Sequence, residues 1–175
     1  NKLKEALETL QKENPSAVAR VPDVIPAWLG LQAYGMKDLE TADKYMTWAT
    51  QNDQLQNVKK VIWRNLAKVR LALKKYDRAL VASNNFLKDE DQPYRRADGM
   101  LDKASILLGL GKYSDARKTA EEALALGVEG PLMASLKIVL GDISYAEKKF
   151  DEAAKHYGVT AELFVNDAEL KPKAL

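Results

Sequence analysis

The sequence predicts an all-α solenoid built from antiparallel helix pairs, and three observations carry that prediction. First, Ala42, Ala79, Ala116 and Ala153 follow one another at an unvarying step of 37 residues. Second, two more series keep the same step: Gly30, Ala67, Ala104 and Gly141 stand 12 residues before those alanines, and Leu39, Tyr76, Tyr113 and Phe150 stand three before them. Agreement in three registers over four copies marks a stacked repeat array. Third, the apolar residues of each copy recur at helical spacing in two blocks divided by a short polar or glycine turn.

Taken in order, residues 1–20 read as a partial repeat, a second helix entered at Leu3-Lys4-Glu5-Ala6. Four copies come next at 21–57, 58–94, 95–131 and 132–168, and residues 169–175 read as the start of a further first helix. The third copy shows the scheme most clearly. Met100, Leu101, Ala104, Leu107 and Leu108 stripe its first helix, Gly111-Lys112 is the turn, and Tyr113, Ala116, Ala120, Ala123 and Leu124 stripe its second. The fourth copy repeats it with Leu136, Leu140, Gly141 and Ile143, then Phe150, Ala153, Ala154 and Tyr157. Pro22, Pro93 and Pro131 mark helix starts, where a missing N–H costs nothing. Asp77, Asp115, Asp151 and Glu152 crowd the first turns of second helices, where the helix dipole favours acids. The small series has a steric cause: helices joined by so short a turn cross closely, and Gly or Ala permits the approach. The Leu, Tyr and Phe series plugs the end of each pair. Both ends break within the pattern and show no polar cap, which leads us to expect a stretch of a longer solenoid.

Composition excludes several function classes. With 46% hydrophobic and 30% charged residues the chain is a folded globular type. A net charge of +2, from 27 basic and 25 acidic residues, is too balanced to imply a nucleic-acid or anionic-membrane surface. There is no cysteine, so disulfides, thiolate metal sites and cysteine nucleophiles are excluded. No apolar run approaches the roughly 18 residues of a membrane span, and we expect no direct membrane insertion by this stretch.

The runs Trp28-Leu29-Gly30, Leu140-Gly141, Gly111-Lys112-Tyr113-Ser114-Asp115-Ala116 and Lys149-Phe150-Asp151-Glu152-Ala153 resemble the tetratricopeptide repeat. The resemblance covers residues 21–168 and implies a right-handed superhelical solenoid whose first helices line a concave groove and whose second helices form the outer face. The family period is about 34 residues, so each copy here carries three more, expected between the second helix of one copy and the first of the next. Extra residues there alter superhelical twist and groove curvature.

Projecting the repeat onto that groove places Trp28, Leu31 and Tyr34 inward in the first copy, with Val24 and Ala27 beside them. The second copy offers Val61, Arg64, Asn65, Lys68 and Leu71; the third Asp98, Leu101, Asp102, Ser105 and Leu108; the fourth Ser135, Ile138, Val139, Asp142 and Tyr145. Of these, Trp28, Leu31, Tyr34, Arg64, Asn65, Lys68, Asp98, Asp102, Asp142 and Tyr145 are the candidate partner-binding residues. Two readings stand side by side. In one, the wall is a track for a peptide whose apolar residues dock near Trp28 and Tyr34 and whose acidic groups meet Arg64 and Lys68. In the other, Arg64 and Lys68 pair with Asp98 and Asp102 on the neighbouring helix. A clamp for a chaperone C-terminal carboxylate, known in the family, does not fit, because Asp98 and Asp102 stand where its next cationic arm belongs and the first copy offers Ala27 and Leu31.

Catalytic, metal and cofactor readings fail on the residues. Gly109-Leu110-Gly111-Lys112 falls in a helix turn, not in the longer strand-borne loop that cradles phosphate. His156, the single histidine, lies between Lys155 and Tyr157 without a partner at triad or metal spacing, and reads as a surface residue. Trp48 and Trp63 read as packing residues, and the pairs Lys59-Lys60, Lys74-Lys75, Arg95-Arg96 and Lys148-Lys149 as solvated edges. One groove slot traced through the copies holds Trp28, Asn65, Asp102 and Val139, which is no base-reading code. We therefore expect a non-catalytic scaffold without cofactor that binds protein or peptide in its groove, within a larger multiprotein assembly. The alternative is a module that assembles end to end through its terminal repeats. The joint Phe164-Val165-Asn166-Asp167 and the run Pro172-Lys173-Ala174-Leu175 resemble joints of bacterial cell-envelope members, a slight lean to the periplasm, with the cytoplasm open.

Overall fold

The computed structural model describes residues 2–18, 20–51 and 56–163. Among these residues all regular structure is helical: α1 (Lys2–Glu13), α2 (Pro15–Val18), α3 (Val24–Gly35), α4 (Leu39–Ala49), α5 (Gln56–Ala72), α6 (Tyr76–Lys88), α7 (Pro93–Gly109), α8 (Tyr113–Leu124), α9 (Gly130–Ala146) and α10 (Phe150–Leu163). Helices α3 and α4, α5 and α6, α7 and α8, and α9 and α10 pack as antiparallel pairs, and α4, α6 and α8 each lean on the first helix of the next pair. Second helices open at Leu39, Tyr76, Tyr113 and Phe150, so the repeat step is kept to the residue. Residues separated by that step occupy one slot. The joint at 164–167 and the further first helix expected from 169 lie outside the described residues.

The first copy departs from the others. Helix α3 has 12 residues where α5, α7 and α9 have 17. Pro93 opens α7 and Pro131 is second in α9, as expected, but Pro22 lies two residues ahead of α3, whose first turn holds Pro26.

The turn between the two helices of a pair is built the same way four times. Lys37, Lys74, Gly111 and Lys148 share one slot and all adopt the left-handed conformation, with φ of 61°, 56°, 71° and 62°. In the second copy Lys74 N–H donates to Leu71 O at 2.9 Å and Lys75 N–H to Arg70 O at 2.8 Å, the paired bonds of a Schellman motif. The fourth copy repeats them from Lys148 to Tyr145 O and Lys149 to Ser144 O. The sequence placed a short turn in each copy, but it marks the left-handed slot with glycine only in the third. Three lysines carry the same backbone at the cost of a strained φ.

Close crossing explains the small series, with a refinement. A Cβ on Gly30 would lie 2.7 Å from Met46 Cγ and 2.9 Å from Met46 N, and one on Gly141 would lie 2.3 Å from the Tyr157 ring. The slot opposite runs Met46, Ser83, Ala120, Tyr157. Glycine thus faces the two large residues and alanine the two small ones. The smallest residue stands where the facing residue is largest, which lets a close-packed crossing form without overlap.

Joints between repeats carry a feature not read from the sequence. Arg70, 7% exposed, donates from Nε to Asp43 Oδ1 at 2.8 Å and from Nη2 to Thr47 Oγ1 at 2.8 Å. Lys75 Nζ reaches Asp43 Oδ2 at 3.0 Å and Glu40 Oε2 at 2.7 Å. Burial alone would raise the Asp43 carboxyl, but hydrogen bonds from Arg70 and Lys75 outweigh it and hold the group below its ordinary value. One slot along, two leucines (Leu80 and Leu107) take the places of Asp43 and Arg70. In the last joint the polarity is reversed: Arg117 stands in the Asp43 slot and binds Glu147 and Glu152, both at 2.6 Å, and Ser144 at 3.2 Å. Lys75 is thus a half-buried partner of the buried Asp43 and Arg70 pair, not a solvated edge. Arg96 likewise departs from the solvated reading, donating to Leu87 O and Glu90 O, both at 3.1 Å, where α6 ends.

Candidate functional site

Successive first helices pack on one another, α3 on α5, α5 on α7 and α7 on α9, and form one continuous wall. The candidate residues lie along this wall in three zones.

At the α3 end, Trp28 is 48% exposed, and Val24 and Val61, one slot on neighbouring helices, are 55% and 48% exposed. Leu31 and Tyr34 are half-buried and pack on the core beneath. The patch is wider than an aromatic pair, since the two valines extend it across α3 and α5.

In the middle, the charges find each other. Arg64 Nη2 donates to Asp98 Oδ2, Lys68 Nζ lies 3.9 Å from Asp98 Oδ2, and it lies 3.6 Å from Asp102 Oδ2. The pairing reading of this band is therefore realised, and Arg64 and Lys68 do not stand as free cations. Burial pushes the Asp102 carboxyl above its ordinary value, against the pull of Lys68 and Arg64. Asp102 Oδ2 and Arg64 Nε are both buried without a hydrogen-bond partner. Asn65 turns its amide back onto Val61 O at 2.8 Å.

At the α9 end, Asp142 accepts a 2.7 Å bond from Tyr157 OH, and burial, then that carboxylate, pushes the phenol well above its ordinary value. Tyr145, 62% exposed, meets Phe150 edge to face with centroids 5.4 Å apart. Phe150 is 56% exposed, more open than the plugging role expected of its slot, and among the described residues its ring contact is with Tyr145. The slot's true partner is the next repeat: Tyr76 packs where a Cβ on Gly109 of α7 would sit.

His156 is half-buried, with Nε2 3.8 Å from Glu152, and burial together with Lys137 lowers its pKa. It is not the open surface residue expected. Trp48 is buried beside Tyr45 at 6.2 Å, and Trp63 bridges the two main core clusters, both as packing residues. Among the described residues no group of three or more acids or histidines is placed to hold a metal, and no helix is long and apolar enough to cross a membrane.

Residues 101–161 match the tetratricopeptide repeat family model. No curated protein matches the sequence. Among solved structures, the apo form of RapI, a TPR-like helical-repeat protein, is similar over 99% of this chain with a TM-score of 0.67 and 17% identity. This chain spans 52% of that chain, so the likeness concerns the fold. The family is generally a non-catalytic interaction module, and its members typically bind protein partners. Helix pairs with one step, one crossing and one turn continue on the N-terminal side of the matched residues, so the chain has the fold of a tetratricopeptide-like helical repeat array.

Proposed function

We propose that this chain is a non-catalytic scaffold whose concave wall holds a segment of a protein partner by apolar anchors. The exposure of Trp28, flanked by Val24 and Val61, is the observation that carries the reading. A contiguous apolar patch on the inner wall of a repeat array is surface held open for a partner. Large aromatics of this kind supply most of the binding energy at interfaces. The central charges support the reading in a second way. Because Arg64 and Lys68 are matched by Asp98 and Asp102, the wall's middle is close to neutral and lends register more than affinity. The partner segment is thus apolar at its anchor, not acidic, and belongs to a larger assembly.

The test is affinity, not capture. Peptides selected by display against the intact chain are titrated into wild type and into Trp28→Ala. Loss of a central aromatic anchor costs about 2 kcal/mol or more, a factor of about 30 in Kd. An unchanged Kd in the variant rejects the α3 end as the anchor.

A further inference from the structure

We propose that the outer face carries a second site, a cleft between α6 and α8 over α7 that takes a small amphipathic anion, an aliphatic carboxylate. This inference is independent of the concave wall and of the peptide reading.

The cleft has a volume of 360 Å³, and its lining includes Leu80, Leu107, Lys103, Lys112 and Lys118. That volume lies in the range of small-molecule pockets, about 300–1,000 Å³. Its origin is visible by comparison with the two neighbouring joints. In the first joint this place holds the Arg70 guanidinium against Asp43 and Thr47. In the last it holds the Arg117 guanidinium against Glu147 and Glu152. In the middle joint both slots are leucine, so the arginine is absent and an apolar floor of Leu80 and Leu107 remains.

A second departure from the repeat falls in the same place. Leu29, Leu66 and Leu140 occupy one slot and are 5%, 0% and 2% exposed. The third copy puts Lys103 there, half-buried and facing the cleft. In a core-leucine slot a lysine packs only its aliphatic stem, and its ammonium is left to the cleft. Among the described residues neither Lys103 nor Lys112 has a carboxylate at ion-pair distance, and Lys118 reaches only Glu122, at 4.0 Å. Asp115 and Glu122 also line the cleft, so three cations face two acids and the lining keeps one positive charge in excess. An ammonium with no partner above two leucines fits a ligand with an aliphatic stem and one anionic head. The stem covers Leu80 and Leu107, and the head pairs with Lys103 and Lys112.

The test titrates the intact chain at low salt with hexanoate, with hexanol and with inorganic phosphate, monitored by NMR shifts. The same titrations are run on Lys103→Leu, which restores the residue of the other three copies and so keeps the fold. A second variant, Leu80→Asp with Leu107→Arg, transplants the first joint's pair into the cleft. The proposal expects saturable hexanoate binding with shifts at α6–α8, weakened at least tenfold by Lys103→Leu and by the transplant. Hexanol and phosphate, each carrying half of the chemistry, bind at least tenfold more weakly. Absence of saturable hexanoate binding overturns the proposal, as does equal binding by wild type and Lys103→Leu. Phosphate binding as tightly as hexanoate overturns the amphipathic class.

Discussion

Replacing Arg70 by leucine tests the joints where they are most exposed to error. Asp43 and Arg70 have side chains 9% and 8% exposed and meet at 2.8 Å. Removing one member of a buried pair leaves an uncompensated charge and costs about 3–5 kcal/mol. Lys75 stays 3.0 Å from Asp43 and softens the loss, so Arg70→Leu is expected at the lower end, about 3 kcal/mol. Asp43→Leu with Arg70→Leu is a different case, because it reproduces the Leu80 and Leu107 arrangement that the chain already uses one joint along. Replacing both charges by packed apolar groups is often neutral or stabilising by about 1–4 kcal/mol, so the double variant matches or exceeds wild type. Urea unfolding monitored by far-UV circular dichroism reads both, and the double-mutant cycle yields the coupling. The pair also sets a pH dependence. Asp43 is held below its ordinary 3.8, so the unfolded chain takes up its proton first as pH falls. The stabilisation is complete above that value and disappears as pH drops through the lower folded value. If Arg70→Leu costs less than about 1 kcal/mol at neutral pH, the reasoning is refuted, since that is the range of an exposed pair.

Three further outcomes rest on the same geometry. Lys74→Gly relieves a left-handed residue at φ 56° and raises stability by about 0.5–1 kcal/mol, while Gly111→Lys lowers it by as much; thermal melting reads both. Gly141→Ala drives a methyl into the Tyr157 ring and costs about 1–3 kcal/mol, recovered in part by adding Tyr157→Ala to imitate the Ala104 and Ala120 crossing. Asp102, whose folded carboxyl is raised above 3.8, binds its proton more tightly when folded, so its charged form weakens the fold at neutral pH. Asp102→Asn is therefore more stable than wild type at pH 7, and the gap closes as pH falls through the raised value, as denaturant midpoints at several pH values would show.

Much of this architecture was legible in residue order because repeat packing is local. A slot that must admit a close crossing admits only Gly or Ala, and Gly30, Ala67, Ala104 and Gly141 display that constraint without any structure. The compensation by Met46, Ser83, Ala120 and Tyr157 was equally present, but it needs the identity of the facing slot, which only the crossing geometry supplies. The left-handed turn was hidden because Lys37, Lys74 and Lys148 tolerate a conformation that glycine advertises. The joint networks were hidden because Arg70 and Asp43 stand 27 residues apart on different repeats, and a charge in sequence reads as solvent-facing. Their signal was there: Asp43, Leu80, Arg117 and Ala154 share one slot, and such variation among packing residues marks a joint. On the concave wall, charge alternation between Arg64 and Asp98 was visible. Whether it was satisfied within the chain or kept for a partner depended on the approach of α5 to α7.

The central claim, that a partner lies along the first helices, is tested most directly by backbone amide shift mapping with a display-selected peptide. The largest changes are expected at Trp28, Asn65, Asp102 and Tyr145, running along α3, α5, α7 and α9. Changes concentrated on α4, α6, α8 and α10, with those four residues unmoved, would contradict it.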